Sequence, residues 1–185
     1  MIFIIWGILF VLGIWIIATY NTLTALRLRV QNAWRQIDVQ LKRRYDLIPN
    51  LVETVKGYMQ FEQDTLQKVI AARSQAMASK SVQETAEAEN ALNQSLGKIF
   101  ALMENYPELK ANKNVLDLQE ELTTTENQIA FARQYYNDLV TQYNTKQQVF
   151  PSNMLSGLFG FKPSELFEVA AADTALPRVN LSLTR

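Results

Sequence analysis

The first 26 residues, Met1 to Leu26, carry no charged side chain, and residues 1–18 (MIFIIWGILFVLGIWIIA) are almost wholly apolar. A helix of about 20 such residues, rising 1.5 Å per residue, crosses the ~30 Å hydrocarbon core of a bilayer. A buried helix of a soluble domain normally keeps a polar stripe over that length. No Lys or Arg precedes the apolar run, and bulky Ile16 spoils Ile16-Ile17-Ala18 as a cleavage site. The segment therefore reads as a retained anchor rather than a secretory signal. Ile2, Phe3, Trp6, Phe10, Trp15 and Ile17 are the side chains expected to meet lipid, with the aromatic rings suited to its interfaces.

Charge then sets an expected orientation. Arg27, Arg29, Arg35, Lys42, Arg43 and Arg44 follow the span and no basic side chain precedes it. Basic residues stay on the cytoplasmic side, so the N-terminus is expected outside and the bulk of the chain in the cytoplasm. Arg27, Arg29 and Arg35 are placed to touch anionic headgroups. The whole chain balances 18 basic against 18 acidic residues, which argues against a nucleic-acid partner. It has no Cys and no His, so disulfides, thiolate nucleophiles, Cys/His zinc sites and imidazole relays are excluded. No cofactor, metal site or catalytic residue is expected, and the chain is not expected to be an enzyme.

After the anchor, apolar residues recur every three or four positions: Leu26, Val30, Ala33, Ile37 and Leu41, then Leu51 and Val55, and later Leu118, Leu122, Thr125, Ile129, Ala132, Tyr136, Leu139 and Tyr143. That is helical periodicity. The fold class expected is all-α: residues 1–20 a transmembrane helix, residues 21–149 a long antiparallel four-helix bundle, and residues 150–185 an irregular apolar tail. Asp46 with Pro49 in a first turn divides a first helix (21–45) from a second (46–77), although a kink there is an alternative to a full stop. Ser81-Val82-Gln83-Glu84 reads as a capping box for a third (81–105), and Asn114 with Asp117 opens a fourth (114–148). Short turns favour antiparallel neighbours, and the longest member is expected to measure about 50 Å at 1.5 Å per residue.

The stretch around Arg44, Asp46 and Pro49 is the most distinctive. It is read first as a corner in which Arg44 or Arg43 pairs with Asp46 or with a carboxylate of a neighbouring helix, and second as a docking surface. Glu126, Asn127, Arg133, Tyr136 and Asn137, with Glu62 and Arg73, are expected to form a partly buried polar network that fixes helix register. Catalysis there would need paired carboxylates with separated pKa values, and no second carboxylate is evident nearby. In the tail, Phe150, Leu155, Phe159, Phe161 and Phe167 are too apolar for a solvated linker. They are expected to dock on their own bundle, on another subunit or on the membrane. Pro177 to Leu183 alternates apolar and polar residues and could add as a strand to a neighbour.

Residues 29–58, RVQNAWRQIDVQLKRRYDLIPNLVETVKGY, resemble the LemA family of bacterial membrane proteins. Further matches include Ala72-Arg73, Tyr106-Pro107-Glu108-Leu109-Lys110-Ala111, Thr125-Glu126-Asn127-Gln128-Ile129-Ala130, Tyr135-Tyr136-Asn137, Tyr143-Asn144 and Phe159-Gly160-Phe161. The resemblance implies an N-terminal anchor, an antiparallel bundle and residence in the bacterial inner membrane, and it implies no enzymatic reaction. Phe61 stands where the family pattern carries His, which further argues against His-dependent chemistry. Family gene neighbourhoods imply a membrane-bound zinc metalloprotease as one partner, and one branch is associated with magnetic organelles. The reading that results is a membrane-anchored, self-assembling scaffold that organises membrane or protein quality control, with the bilayer and other copies of the chain as partners. The alternative is a monomeric adaptor or regulator of a membrane protease or signalling protein.

Overall fold

The computed structural model describes residues 1–59 and 61–168. All its regular elements are helices: α1 (Ile2–Lys56), α2 (Gln63–Ala78), α3 (Val82–Met103), α4 (Pro107–Ala111), α5 (Lys113–Gln148) and α6 (Ser152–Leu158). The 55 residues of α1 make a rod about 80 Å long at 1.5 Å per residue, because the apolar N-terminal stretch and the first bundle helix run on without a break, while the 36 residues of α5 give the roughly 50 Å expected of the longest bundle member. Its outer third is long and apolar enough to cross a membrane. There Ile2, Phe3, Trp6, Phe10 and Ile17 are exposed and Trp15 is half-buried, with no protein packed over most of them. Arg27, Arg29 and Arg35 follow, also exposed.

The remaining two-thirds of α1 packs lengthwise on α5, while α2 and α3 form a second hairpin against them. Facing pairs fix an antiparallel register along the α1–α5 seam: Trp34 stacks at 5.4 Å on Tyr136, and Arg44 reaches Glu126 further down. Buried positions on α1 fall at Val30, Ala33, Ile37, Leu41, Arg44, Ile48, Leu51 and Val55. On α3 they include Thr85, Glu89, Leu92, Leu96, Ile99 and Met103. Steps of three and four alternate in both, which is the seam spacing of helices that pack in coiled-coil fashion. Each seam carries one charged residue, Arg44 and Glu89.

The break expected at Asp46 and Pro49 is absent. Helix α1 continues through Pro49, which is exposed, to a turn at residues 57–62. Two causes outweigh the proline. The apolar stripe keeps its phase across it, with Ile48, Leu51 and Val55 fully buried. Proline also removes one i to i−4 hydrogen bond, leaving the carbonyl of Tyr45 without its amide partner. Arg73 of α2 supplies the missing donor, its Nε lying 2.6 Å from that carbonyl oxygen.

The predicted capping box is present: Ser81 Oγ accepts from the Glu84 amide at 3.1 Å, and Glu84 returns the bond to the Ser81 amide. The third helix ends at Met103, and the five-residue α4 follows before α5 begins with Asn112, not Asn114, as its cap. Residues 150–168 of the tail are more regular than expected, with the helix α6 at Ser152–Leu158. After α6 the chain turns at Gly160, whose φ of +69° suits a residue without Cβ. Bonds from Phe161 N to Ser156 O at 2.9 Å and from Gly160 N to Gly157 O at 3.3 Å close a Schellman motif. The proposed edge strand at Pro177 to Leu183 lies outside the described residues.

Candidate functional site

The two charged residues of the helix seams meet. Arg44 Nη1 contacts Glu89 Oε2 at 2.9 Å and Glu126 Oε2 at 2.8 Å, and Nη2 binds the Asn93 side-chain oxygen. Tyr45 donates its hydroxyl to the other oxygen of Glu89 at 2.6 Å. Asn93, one turn beyond Glu89, donates to Glu126 Oε1 at 3.3 Å. One guanidinium therefore joins α1, α3 and α5. The Arg44 and Glu89 side chains are only 5% and 7% exposed, whereas Glu126 is 45% exposed.

Burial raises the pKa of the Glu89 carboxyl, and nearby Glu126 adds to this, while the hydroxyl of Tyr45 and the charge of Arg44 oppose it. Burial and the Glu89 carboxylate both push the Tyr45 phenol upward, so it stays a donor. A buried ion pair recovers its desolvation cost only where the remaining polar atoms are satisfied. Here both oxygens of Glu89 are engaged, while the buried Nε of Arg44 finds no hydrogen-bond partner among the described residues, and the cluster joins three helices as a clasp. A cavity of about 350 Å³ opens beside it, lined by Arg44, Asn93, Phe100, Leu122, Glu126 and Asn127. The expectation that no second carboxylate stands nearby is therefore corrected: Glu89 and Glu126 share one guanidinium. Their acceptor atoms face Arg44, Tyr45 and Asn93, an arrangement that holds helices together.

The other expected members of the network are dispersed. Arg73 serves the Tyr45 carbonyl under Pro49. Glu62 accepts from the Tyr106 hydroxyl at 2.6 Å, which raises the pKa of that phenol and ties the α1–α2 turn to the start of α4. Asp46, Asn127 and Arg133 are exposed. Arg133 therefore stands outside the network, because its position on α5 turns it away from the seam; the corner expected around Asp46 lies instead at residues 57–62.

A second constellation holds the tail; Tyr136 and Asn137, expected in a polar network, have tail backbone rather than Glu62 or Arg73 as their partners, and Asn144 joins them. Asn144 donates to the Ser164 carbonyl and accepts from the Ser164 amide, both at 2.9 Å. Asn137 does the same for Phe167, at 3.2 and 2.8 Å. Seven helical residues advance about 10 Å, as do three extended residues, so two asparagines two turns apart on α5 match backbone groups three residues apart in the tail, at Ser164 and Phe167. Tyr136 adds a bond to the Glu165 carbonyl at 2.8 Å, and burial with the neighbouring Glu165 carboxylate pushes its pKa up to about 12. Phe167 is buried and stacks at 5.6 Å on Trp34. Leu155 is buried too, Phe161 is half-buried, and Phe150 and Phe159 remain exposed. Of the three surfaces expected for the tail, Leu155, Phe161 and Phe167 take the first: these side chains pack on their own chain.

A shallow groove of about 640 Å³ runs along the outer side of the α1–α5 pair, with Val39, Phe131 and Tyr135 exposed along it. Gln40 lines the same groove, and its buried Oε1 accepts no hydrogen bond among the described residues.

Protein LemA of Metamycoplasma hominis is 30% identical over 129 residues, covering 69% of this chain and 58% of that protein. Magnetosome protein MamQ 2 of Paramagnetospirillum magneticum is 31% identical over 90 residues, 48% of this chain and 33% of its own length. Magnetosome protein MamQ of Magnetospirillum gryphiswaldense is 29% identical over 90 residues, again 33% of its own length. The match thus spans little more than half of the first relative and a third of the other two. Most of the chain, residues 33–181, matches the sequence model of the LemA family. The chain belongs to the LemA family.

Proposed function

We propose that this protein is a membrane-anchored, non-catalytic scaffold whose copies associate side by side through the α1–α5 groove. The observation that carries the reading is the groove itself: Phe131 is 73% exposed, with Val39 and Tyr135 beside it and an unpartnered buried acceptor on Gln40. Soluble surfaces seldom leave such a patch without use. The groove lies on α1, which continues from the anchor, and on α5 packed along it, so a two-fold axis along the membrane normal would face two grooves together with both anchors in one bilayer. Such self-complementary contacts are the usual route to homodimers, and anchoring raises the local concentration of each copy for the next.

In this reading the bundle is cytoplasmic, the N-terminus crosses the inner membrane, and the assembly organises the membrane or its protein quality control. The names of the magnetosome relatives agree with a role at a membrane-bounded structure. A membrane-bound zinc metalloprotease, suggested by family gene neighbourhood, is a candidate client. The experiment is mass measurement of the full chain extracted in mild detergent. A defined multi-copy particle that falls to single chains in F131S/Y135S supports the scaffold. A single chain from the wild type favours the adaptor reading and overturns self-assembly.

A further inference from the structure

Helix α6 has its polarity turned inside out. Ser152, Leu155 and Ser156 are buried against the body, and Ser156 Oγ donates to the Gln147 carbonyl at 3.0 Å. Apart from Leu155, the large apolar side chains on and flanking the helix point away: Phe150 and Leu158 are 79% and 77% exposed, and Met154 and Phe159 are exposed beside them. A helix facing water buries its Phe, Met and Leu and shows its Ser. This one shows the reverse, and it is held there by the Schellman turn at Gly160 and the asparagine ladder behind it.

Its place along the rod supplies the reason. The rings of Phe159 and Phe161 pack edge-on against Tyr20 at 5.1 and 5.7 Å. Tyr20 follows directly on the exposed apolar stretch of α1, where aromatic rings mark the level of the headgroups. The apolar side chains of α6 are thus continuous with the apolar surface of the anchor. Charge agrees: between Asp138 and Glu165 the only charged side chains are Lys146 and Lys162, a composition suited to an anionic leaflet.

We propose that Phe150, Met154, Leu158 and Phe159 form a knuckle that inserts into the interface of the same bilayer leaflet from which the α1 rod emerges. This rests on the reading of residues 1–20 as a lipid-crossing anchor. Two contacts, one spanning and one interfacial, would fix the tilt and rotation of the rod about its anchor. A single span alone leaves rotation free, so the knuckle would decide which way the α1–α5 groove faces along the membrane plane.

The chain has no Cys, so single-cysteine variants of the full protein can carry one environment-sensitive fluorophore each. L158C and M154C report the knuckle, L9C the anchor, and T123C an exposed site about 40 Å down the rod at 1.5 Å per residue. All are reconstituted in phosphatidylcholine/phosphatidylglycerol vesicles containing lipids brominated either near the headgroup or deep in the chain. The expected result is quenching of L158C and M154C by the shallow bromolipid, comparable to the quenching of L9C by the deep one, with T123C unquenched. Quenched L9C beside unquenched L158C and M154C overturns the knuckle and leaves the anchor standing. If those unquenched knuckle labels are also shielded from aqueous iodide, a second copy covers α6 instead, which equally overturns it. Unquenched L9C overturns the anchor and the knuckle with it.

Discussion

Replacing Arg73 by Ala should destabilise the protein by an amount that depends on Pro49, a residue 24 positions away in sequence. The Nε of Arg73 is the donor that reaches the Tyr45 carbonyl, which the proline leaves open. An orphaned, part-buried backbone acceptor costs about 1–3 kcal/mol. At about 2–4 °C per kcal/mol for a chain of this size, R73A should lower Tm by roughly 6 °C for a mid-range loss of 2 kcal/mol. P49A restores an amide at the position from which a helix ordinarily serves the Tyr45 carbonyl. In that background R73A should cost less than about 1 kcal/mol, because the acceptor keeps a partner. The assay is a double-mutant cycle by thermal melting of the full chain in detergent, followed by far-UV circular dichroism. Distant, independent sites add within about 0.5 kcal/mol. Equal losses on the two backgrounds would refute the idea that Arg73 substitutes for the missing amide.

Three other outcomes follow from the same geometry. The raised Glu89 pKa means the folded chain binds that proton more tightly than the unfolded chain, so its contribution is full below the ordinary Glu value of about 4.3 and is lost as pH rises through the folded pKa. Wild type should therefore lose Tm relative to E89Q as pH increases above about 4.3; a gap that is constant or of opposite slope contradicts burial as the dominant cause. N137A/N144A removes four hydrogen bonds to the tail, and limited proteolysis should then cut within residues 161–168, where wild type resists. R133A should change stability by no more than about 0.5 kcal/mol, or about 1–2 °C in Tm, as expected of an exposed site, and a large drop in melting would restore Arg133 to the network.

What the sequence revealed was local. The anchor follows from composition, and the capping box at Ser81 and Glu84 involves residues three apart, so neither needs tertiary information. Pro49 misled because the contributions that overrule it come from elsewhere: an apolar stripe spanning the proline and a guanidinium from the next helix. Glu89 was overlooked among Glu84 and Glu87 in an alanine-rich stretch. A signal was present, since Thr85, Glu89, Leu92, Leu96 and Ile99 keep the alternating three-and-four step of a packed seam, which puts Glu89 inside. Arg44 occupies the same kind of slot between Leu41 and Ile48. A charge on each of two seams is a reason to expect that they meet. The asparagine ladder was harder to see, because Asn137 and Asn144 bind backbone, and backbone partners leave no residue-type signature. The tail read as simply apolar because seven residues are too few for periodicity to show which face of α6 is buried.

Side-by-side association in the membrane is tested most directly by disulfide cross-linking in intact vesicles that contain the full chain. F131C places a thiol in the α1–α5 groove, and Q94C places one on exposed α3 as the control. The account predicts a covalent dimer from F131C on mild oxidation, lost when Y135S is added, and little or none from Q94C. Monomer from both, or cross-linking by Q94C alone, would contradict it.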